Sequence, residues 1–163
     1  MEVLKNIIDK VKTRLQTVEE LKYIDSDWGQ LDQEPPAVKW PCALVDIDNA
    51  DYEDLGRGGQ MVDVHVKVTV ALQRLTPGST ASRRRAESYK DYDLLGEVHN
   101  ALHLYGEAEF TPLLRSRFYK EQSEPSTVIY NMTYHTSYVT PPVARTEKKP
   151  VRTFKIAASP DVQ

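Results

Sequence analysis

Residues 60–75, QMVDVHVKVTVALQRL, alternate apolar and polar positions for longer than most strands last. Val62, Val64, Val66, Val68, Val70 and Leu72 form one set, with Asp63, His65, Lys67, Thr69, Ala71 and Gln73 between them. Strand side chains point to opposite faces in turn, so this period predicts a long strand with an aliphatic stripe against a core and a mostly polar stripe facing elsewhere. The alternation returns in TVIYNMTYHTSYV, 127–139. There Val128, Tyr130, Met132, Tyr134 and Tyr138 share one face, while Ile129, Asn131, Thr133, His135, Ser137 and Val139 share the other.

Helical spacing occurs twice. In residues 3–18, Leu4, Ile7, Ile8, Val11, Leu15 and Val18 recur at intervals of three and four, with lysines, Arg14 and acids on a solvated side. From about Arg83 to Tyr105, a stripe of Tyr92, Leu95, Val98, Leu102 and Tyr105 is widened by Leu94, Ala101 and Leu104, and Gly106 stands where a helix stop belongs.

The remaining segments connect these elements. LKYIDSDWGQL predicts a short strand around 21–25, and DQEPPAVKWP is a proline-bearing link excluded from helix interiors and central strands. CALVDID, 42–48, reads as a short strand turning acidic at its end, joined to the long strand through the glycine-rich loop DYEDLGRGGQ. TPGSTAS, 76–82, is a loop, and PLLRSRFYKEQ with TVIYNMTYHTSYV forms a second hairpin around SEPS. The expected fold class is α+β: one domain over residues 1–140, an antiparallel sheet of about four strands with two main helices packed on one face. The other face is left for water or another subunit. Residues 141–163 are proline-punctuated and poor in core formers, which predicts an extended or disordered arm.

Charge changes the picture only locally. Among 163 residues, 21 lysines and arginines face 24 acids, and a net charge of -3 gives no overall reason to expect a nucleic-acid binder. Residues 1–60 carry 13 acids and 7 bases whereas 61–163 carry 11 acids and 14 bases, a division that suits self-association as well as any foreign partner. The single cysteine, Cys42, excludes a disulfide framework and reads as a small buried hydrophobe in a reducing compartment. MEVLKNIIDKVKTRL lacks the apolar run of a secretory signal, and no stretch is long enough to span a bilayer, so a cytoplasmic protein with no membrane partner is expected. In that compartment the Asn131-Met132-Thr133 glycosylation acceptor has no meaning.

The search for chemistry yields no catalytic constellation. LGRGGQ lacks the spacing and following lysine of a phosphate loop and lies between two strands, so it reads as a hairpin turn. DIDNADYED starts like a calcium loop at Asp46 and Asp48, but Ala50 and Asp51 occupy positions that need a ligand and a glycine. His99 and His103 have the four-residue spacing of a zinc pair, yet Asn100 stands where the zincin pattern requires glutamate, and no cysteine or carboxylate cluster supports a metal. No Gly-x-Ser-x-Gly elbow occurs. No catalytic, metal or cofactor residue is assigned, and a non-enzyme is expected. The alternative is a ligand-binding domain or enzyme with a pocket over the open sheet face, lined by His65, Lys67, His135 and tyrosines.

Arg83, Arg84 and Arg85 open the second helix, where positive charge opposes the helix dipole. They read either as a solvated loop end or as a contact for an acidic or phosphate-bearing partner. The acidic run of a neighbouring copy, with Asp46, Asp48, Asp51, Glu53 and Asp54, is the candidate that makes these eight residues a subunit interface.

An amphipathic helix, the proline-led strand PCALVDI, a glycine turn, a long alternating strand, a helix bearing LLGEVHNAL with Gly106 beyond it, and a closing hairpin together resemble the tail terminator or tail completion proteins of long-tailed bacteriophages and prophages. The resemblance spans roughly residues 1–140 and is one of order and pattern. It implies a virion subunit, assembled in the bacterial cytoplasm as a homo-oligomeric, commonly hexameric ring. Such a ring caps the tail tube and offers a head-attachment surface. The implied partners are tail-tube and head-connector proteins, and the only nucleic-acid contact is DNA passing through the ring. A head-to-tail connector is the related alternative. The acidic stretch 46–54, the arginine triplet and the C-terminal arm depart from that pattern.

Overall fold

The computed structural model describes residues 1–73, 81–121 and 127–142, with side chains of the second segment described from 89 onward. Five strands and two helices follow in the order α1 (Glu2–Leu15), β1 (Tyr23–Ser26), β2 (Cys42–Gly56), β3 (Gly59–Gln73), α2 (Ala81–Leu102), β4 (Leu114–Glu121) and β5 (Thr127–Thr140). The sheet order is β1-β2-β3-β5-β4. No helix among the described residues is long and apolar enough to cross a membrane.

The valine stripe decides the layering. Val62, Val64, Val66, Val68 and Val70 are all fully buried, in one cluster with Leu4, Ile7, Val11 and Leu15 of α1 and Leu94, Leu95, Val98 and Leu102 of α2. Both helices therefore cover the same sheet face. Burial of each such side chain contributes about 1.5–3 kcal/mol before conformational entropy is set against it. The alternation of β5 holds as well: Tyr130, Met132 and Tyr134 are buried on the helix side, opposite Val70, Val68 and Val66.

Three elements depart from the sequence expectation. The sheet is mixed and five-stranded, not four-stranded and antiparallel, because β1 pairs with β2 in parallel, Tyr23 to Cys42 through Ser26 to Val45. Its four half-buried residues, YIDS, are too few to display a period. The connection 27–41 has the dozen or more residues that a parallel crossover needs.

The second departure is β2, which runs on through the acidic segment to Gly56 instead of ending near residue 48. A bulge between Ile47 and Asn49 hides this from a period-two reading. It brings Ile47, Ala50 and Tyr52 opposite Val66, Val64 and Val62, on the helix side, although Ile47 and Ala50 stand three apart in sequence. The hairpin turn shrinks to Arg57-Gly58, both at positive φ (55° and 82°), as a two-residue turn matching strand twist requires.

The third departure is the end of α2. The helix stops at Leu102, and Leu104, with φ 62° and 65% exposed, takes the left-handed position expected of Gly106. The stripe is rotated too: Tyr92 is exposed, while Asp91 is buried and accepts a hydrogen bond from the Tyr130 hydroxyl (3.1 Å). Gly106 serves a close approach. The loop closes through Leu104 N–H to the Leu113 carbonyl and Leu113 N–H to the Tyr105 carbonyl, both 2.8 Å, pressing Pro112 against Gly106.

The basic side of α1 is not simply solvated. Arg14 donates from Nε to the Ala101 carbonyl (2.9 Å), one of the carbonyls left over at the end of α2, and lies over the Tyr105 ring. Lys10 reaches Glu107 at 3.6 Å. The predicted loop 76–82 and arm 141–163 fall largely outside the described residues, as does the SEPS turn.

Two glycines separate packing from propensity. A Cβ at Gly106 would stand 2.9 Å from the Pro112 nitrogen, whereas one at Gly96 in α2 would meet nothing within 4 Å. Gly106→Ala is expected to destabilise by about 1–3 kcal/mol and Gly96→Ala to stabilise by up to about 1 kcal/mol. Thermal melts followed by circular dichroism check both, at ~2–4 °C per kcal/mol.

Candidate subunit interface

Across the sheet face turned away from the helices, cross-strand partners form rows. Tyr23, Cys42, Ala71 and Ile129 make one row, and Asp25, Leu44, Thr69 and Asn131 the next. This end is closed: Cys42, Leu44, Ala71 and Asn131 are fully buried, and so is Gln30 from the connection 27–41. Gln30 donates to the Ser26 carbonyl (2.7 Å) and accepts from the Trp28 N–H (2.9 Å). Inside, Asn131 accepts from the Thr69 hydroxyl (2.9 Å) and donates to Glu121 (3.0 Å), a polar chain that satisfies the buried amide. The asparagine of the glycosylation acceptor is thus enclosed.

The polar stripe of β3 accordingly divides. Thr69 and Ala71 are buried, whereas Asp63, His65 and Lys67 are partly exposed on the open end. Asp46, Lys67, Thr133 and Arg117 form one row, in which Thr133 is still buried, and Asn49, His65, His135 and Leu114 form the next, which is open. Asp51 stands opposite Asp63, a like-charge pairing that costs stability unless relieved. Relief comes from both sides: His135 Nε2 lies 3.3 Å from Asp63, and the Asn49 amide donates to Asp51 (3.0 Å).

Of the eight candidate residues, the five acids all sit on the distal half of β2. Asp46, Asp51 and Glu53 pair with Lys67, Asp63 and Met61 on the open face, Asp48 occupies the bulge, and Asp54 accepts from the Gly56 N–H (2.8 Å) at the turn. All five are exposed. Beyond Val45, the outer edge of β2 has no strand partner among the described residues, since β1 pairs only with Cys42–Val45. Arg83, Arg84 and Arg85 lie in α2, but their side chains are outside the described residues.

A second cationic set escaped the sequence reading. The edge strand β4 is exposed at all eight positions and carries Arg115, Arg117 and Lys120 among Leu114, Phe118 and Tyr119. Arg117 lies over the Tyr119 ring (4.9 Å to the centroid) and Lys120 over Tyr130 (5.5 Å). The signal was present in LRSRFYKE, where bases and aromatics alternate without burying either face. Only its place at a sheet edge gives the pattern meaning.

His99 and His103 meet on α2 with ring centroids 4.7 Å apart, beside Tyr134, whose hydroxyl is 3.4 Å from His99 Nδ1. Burial, then Arg115 and His103, lower the His99 pKa. Among the described residues no three His, Cys, Asp or Glu side chains lie close enough together to share a metal ion. Over the open face, His65 and His135 meet edge to face at 5.4 Å, while two clefts lie beside α1, one between Thr17–Glu20 and Glu97–Ala101 and one along Glu2–Asp9.

No family model matches the chain, and no curated protein does. A solved structure titled "Virion of native gene transfer agent (GTA) particle" is similar at 12% identity and a TM-score of 0.48, over 80% of this chain and 92% of that one. A likeness of that degree carries no argument about function.

Titration of buried groups gives a test of this packing. Burial pushes the Cys42 thiol up to about 11, and burial with the Glu107 contact raises Tyr105 to about 12. Burial, with the neighbouring Tyr52, likewise raises Tyr138 to about 12. Folded values above the unfolded ones mean that these groups support the fold fully below their unfolded pKa values and withdraw that support as pH rises through the folded values. The melting temperature is expected to hold to about pH 8 and to fall progressively toward about pH 12. Cys42 should resist Ellman's reagent at about pH 8 in the native protein and react once urea unfolds it.

Proposed function

We propose that the chain is a structural subunit of a phage or phage-like virion, a tail terminator or completion protein whose ring caps the tail tube and presents the head-attachment surface. The observation that carries the proposal is the pair of sheet edges left without strand partners among the described residues, one acidic and one basic, on opposite sides of one subunit. Opposite surfaces that meet head to tail generate rings when the rotation closes. The order of elements, with PCALVDI leading into a long hairpin and LLGEVHNAL on the covering helix, supports placing that ring in a tail.

In this reading the protein is no enzyme. Asp63, His65 and His135 are partly exposed, with His135 paired to Asp63 and its ring set edge to face against His65. The subunit resides in the virion after assembly in the host cytoplasm. Its contacts beyond its own copies are the tube end on one side and head-connector proteins on the other, with DNA passing through the ring.

Negative-stain images and native mass spectrometry of the purified chain are expected to show closed rings. Sub-stoichiometric addition of the chain should stop elongation of polymerising tail-tube subunits, read as tube length. Monomers only, together with unaltered tube growth, would overturn the proposal.

A further inference from the structure

We infer that copies of this chain join by extending the sheet, β4 of one copy pairing antiparallel with the distal half of β2, Asp46–Gly56, of the next. The inference deepens the ring reading above and rests on its self-association, though not on the place of the ring in a tail.

Backbone geometry comes first. The outer edges of β4 and of β2 beyond Val45 are unpaired among the described residues. Each presents the row of N–H and C=O groups that templates another strand. The lengths agree: β4 has 8 residues, about 27 Å, and Asp46–Gly56 extends about 37 Å at ~3.4 Å per residue, so all of β4 can be accommodated. Direction agrees as well. Three successive antiparallel pairings separate β2 from β4, so the two run oppositely within one subunit. A neighbour rotated about an axis along the strands keeps its own β2 direction. Its β2 therefore lies antiparallel to β4 and continues the pattern of the other four strands.

Charge supplies the selectivity. The free part of β2 carries Asp46, Asp48, Asp51, Glu53 and Asp54 with no base before Arg57, whereas β4 carries Arg115, Arg117 and Lys120 against Glu121 alone. Monomeric proteins also place charge on sheet edges to prevent pairing. Such protection works when both edges have one sign, because two copies then repel. Edges of opposite sign abolish that protection for the head-to-tail encounter alone and retain it for β4 against β4 and β2 against β2. Exposed Phe118 (41%) and Tyr119 (37%) add apolar area on the two faces of the basic edge.

The test exchanges the signs. One variant carries Arg117→Glu and Lys120→Glu, the other Asp46→Lys, Asp48→Lys, Asp51→Lys and Glu53→Lys, with circular dichroism confirming that both fold. Each alone should lose self-association, with a dissociation constant raised at least about tenfold by sedimentation velocity. An equimolar mixture should recover it with alternating copies, since the acidic β4 of the first variant meets the basic β2 of the second and the unchanged edges complete the circuit. Hydrogen exchange of the wild type supplies a readout that needs no variant: amides of 114–121 and 46–56 gain protection as concentration rises. A wild type that stays monomeric at high micromolar concentration overturns this inference and the ring together. Rings that persist in both variants, a mixture of folded variants that fails to recover, or β4 amides unprotected in the assembled wild type overturn the edge pairing and leave the ring reading standing.

Discussion

Side chains of β3 cannot choose their face independently. The strand is paired from end to end, to β2 on one side and to β5 on the other, and these two ladders impose one register on five buried valines and their cross-strand partners. A slip by one residue would turn Asp63, His65 and Lys67 into the helix layer and the valines outward. That penalty anchors both hairpins, and with them the position of every other element. α1 and α2 cover the valine side because it offers a continuous apolar surface, and Arg14 then ties the end of α2 to α1 through the Ala101 carbonyl.

How legible each part was depends on how many residues express it. β3 and β5 announced themselves because fifteen and fourteen residues repeat one period with few exceptions. β1 offered four half-buried residues, and its parallel pairing depends on where a long proline-bearing connection returns, which no local pattern encodes. The stop of α2 differs for another reason. A glycine's backbone freedom points to a stop at Gly106, whereas its contribution in the fold is the missing Cβ beside Pro112, a tertiary constraint. The acidic run stands out in the sequence, but the bulge at Asp48 conceals its strand character, and the basic residues of β4 are less conspicuous than Arg83, Arg84 and Arg85. A run of three arginines is visible in any sequence. Arg115, Arg117 and Lys120 become a set only once β4 is known to lie at the rim of the sheet.

The two ends of the face opposite the helices show how one surface serves two purposes. At the closed end, Thr69, Asn131 and Glu121 form a satisfied hydrogen-bond chain beneath the connection 27–41, which rigidifies the sheet without adding apolar area. At the open end, His135 pairs with Asp63 across strands and the Asn49 amide with Asp51 along β2, all at least partly exposed, so none bears the desolvation cost of a buried charge. The transition falls between Lys67 and Thr69, within two residues of a single strand.

Exposure is the usual guide to where a chain tolerates insertions and deletions, and by that guide the projecting acidic hairpin would be the most permissive part of the molecule. The bulge qualifies the rule. Asp48 is exposed and makes none of the cross-strand pairs, and as the extra residue of the bulge it sets Ile47 and Ala50, three apart in sequence, on the same side. Its deletion would leave a strict period of two in which Ile47, Ala50 and Tyr52 keep the helix side and Asn49, Asp51 and Glu53 the open side. One added residue, by contrast, would need a second bulge or would invert the segment beyond it, so the hairpin has slack of a single residue in its length, and in one direction only.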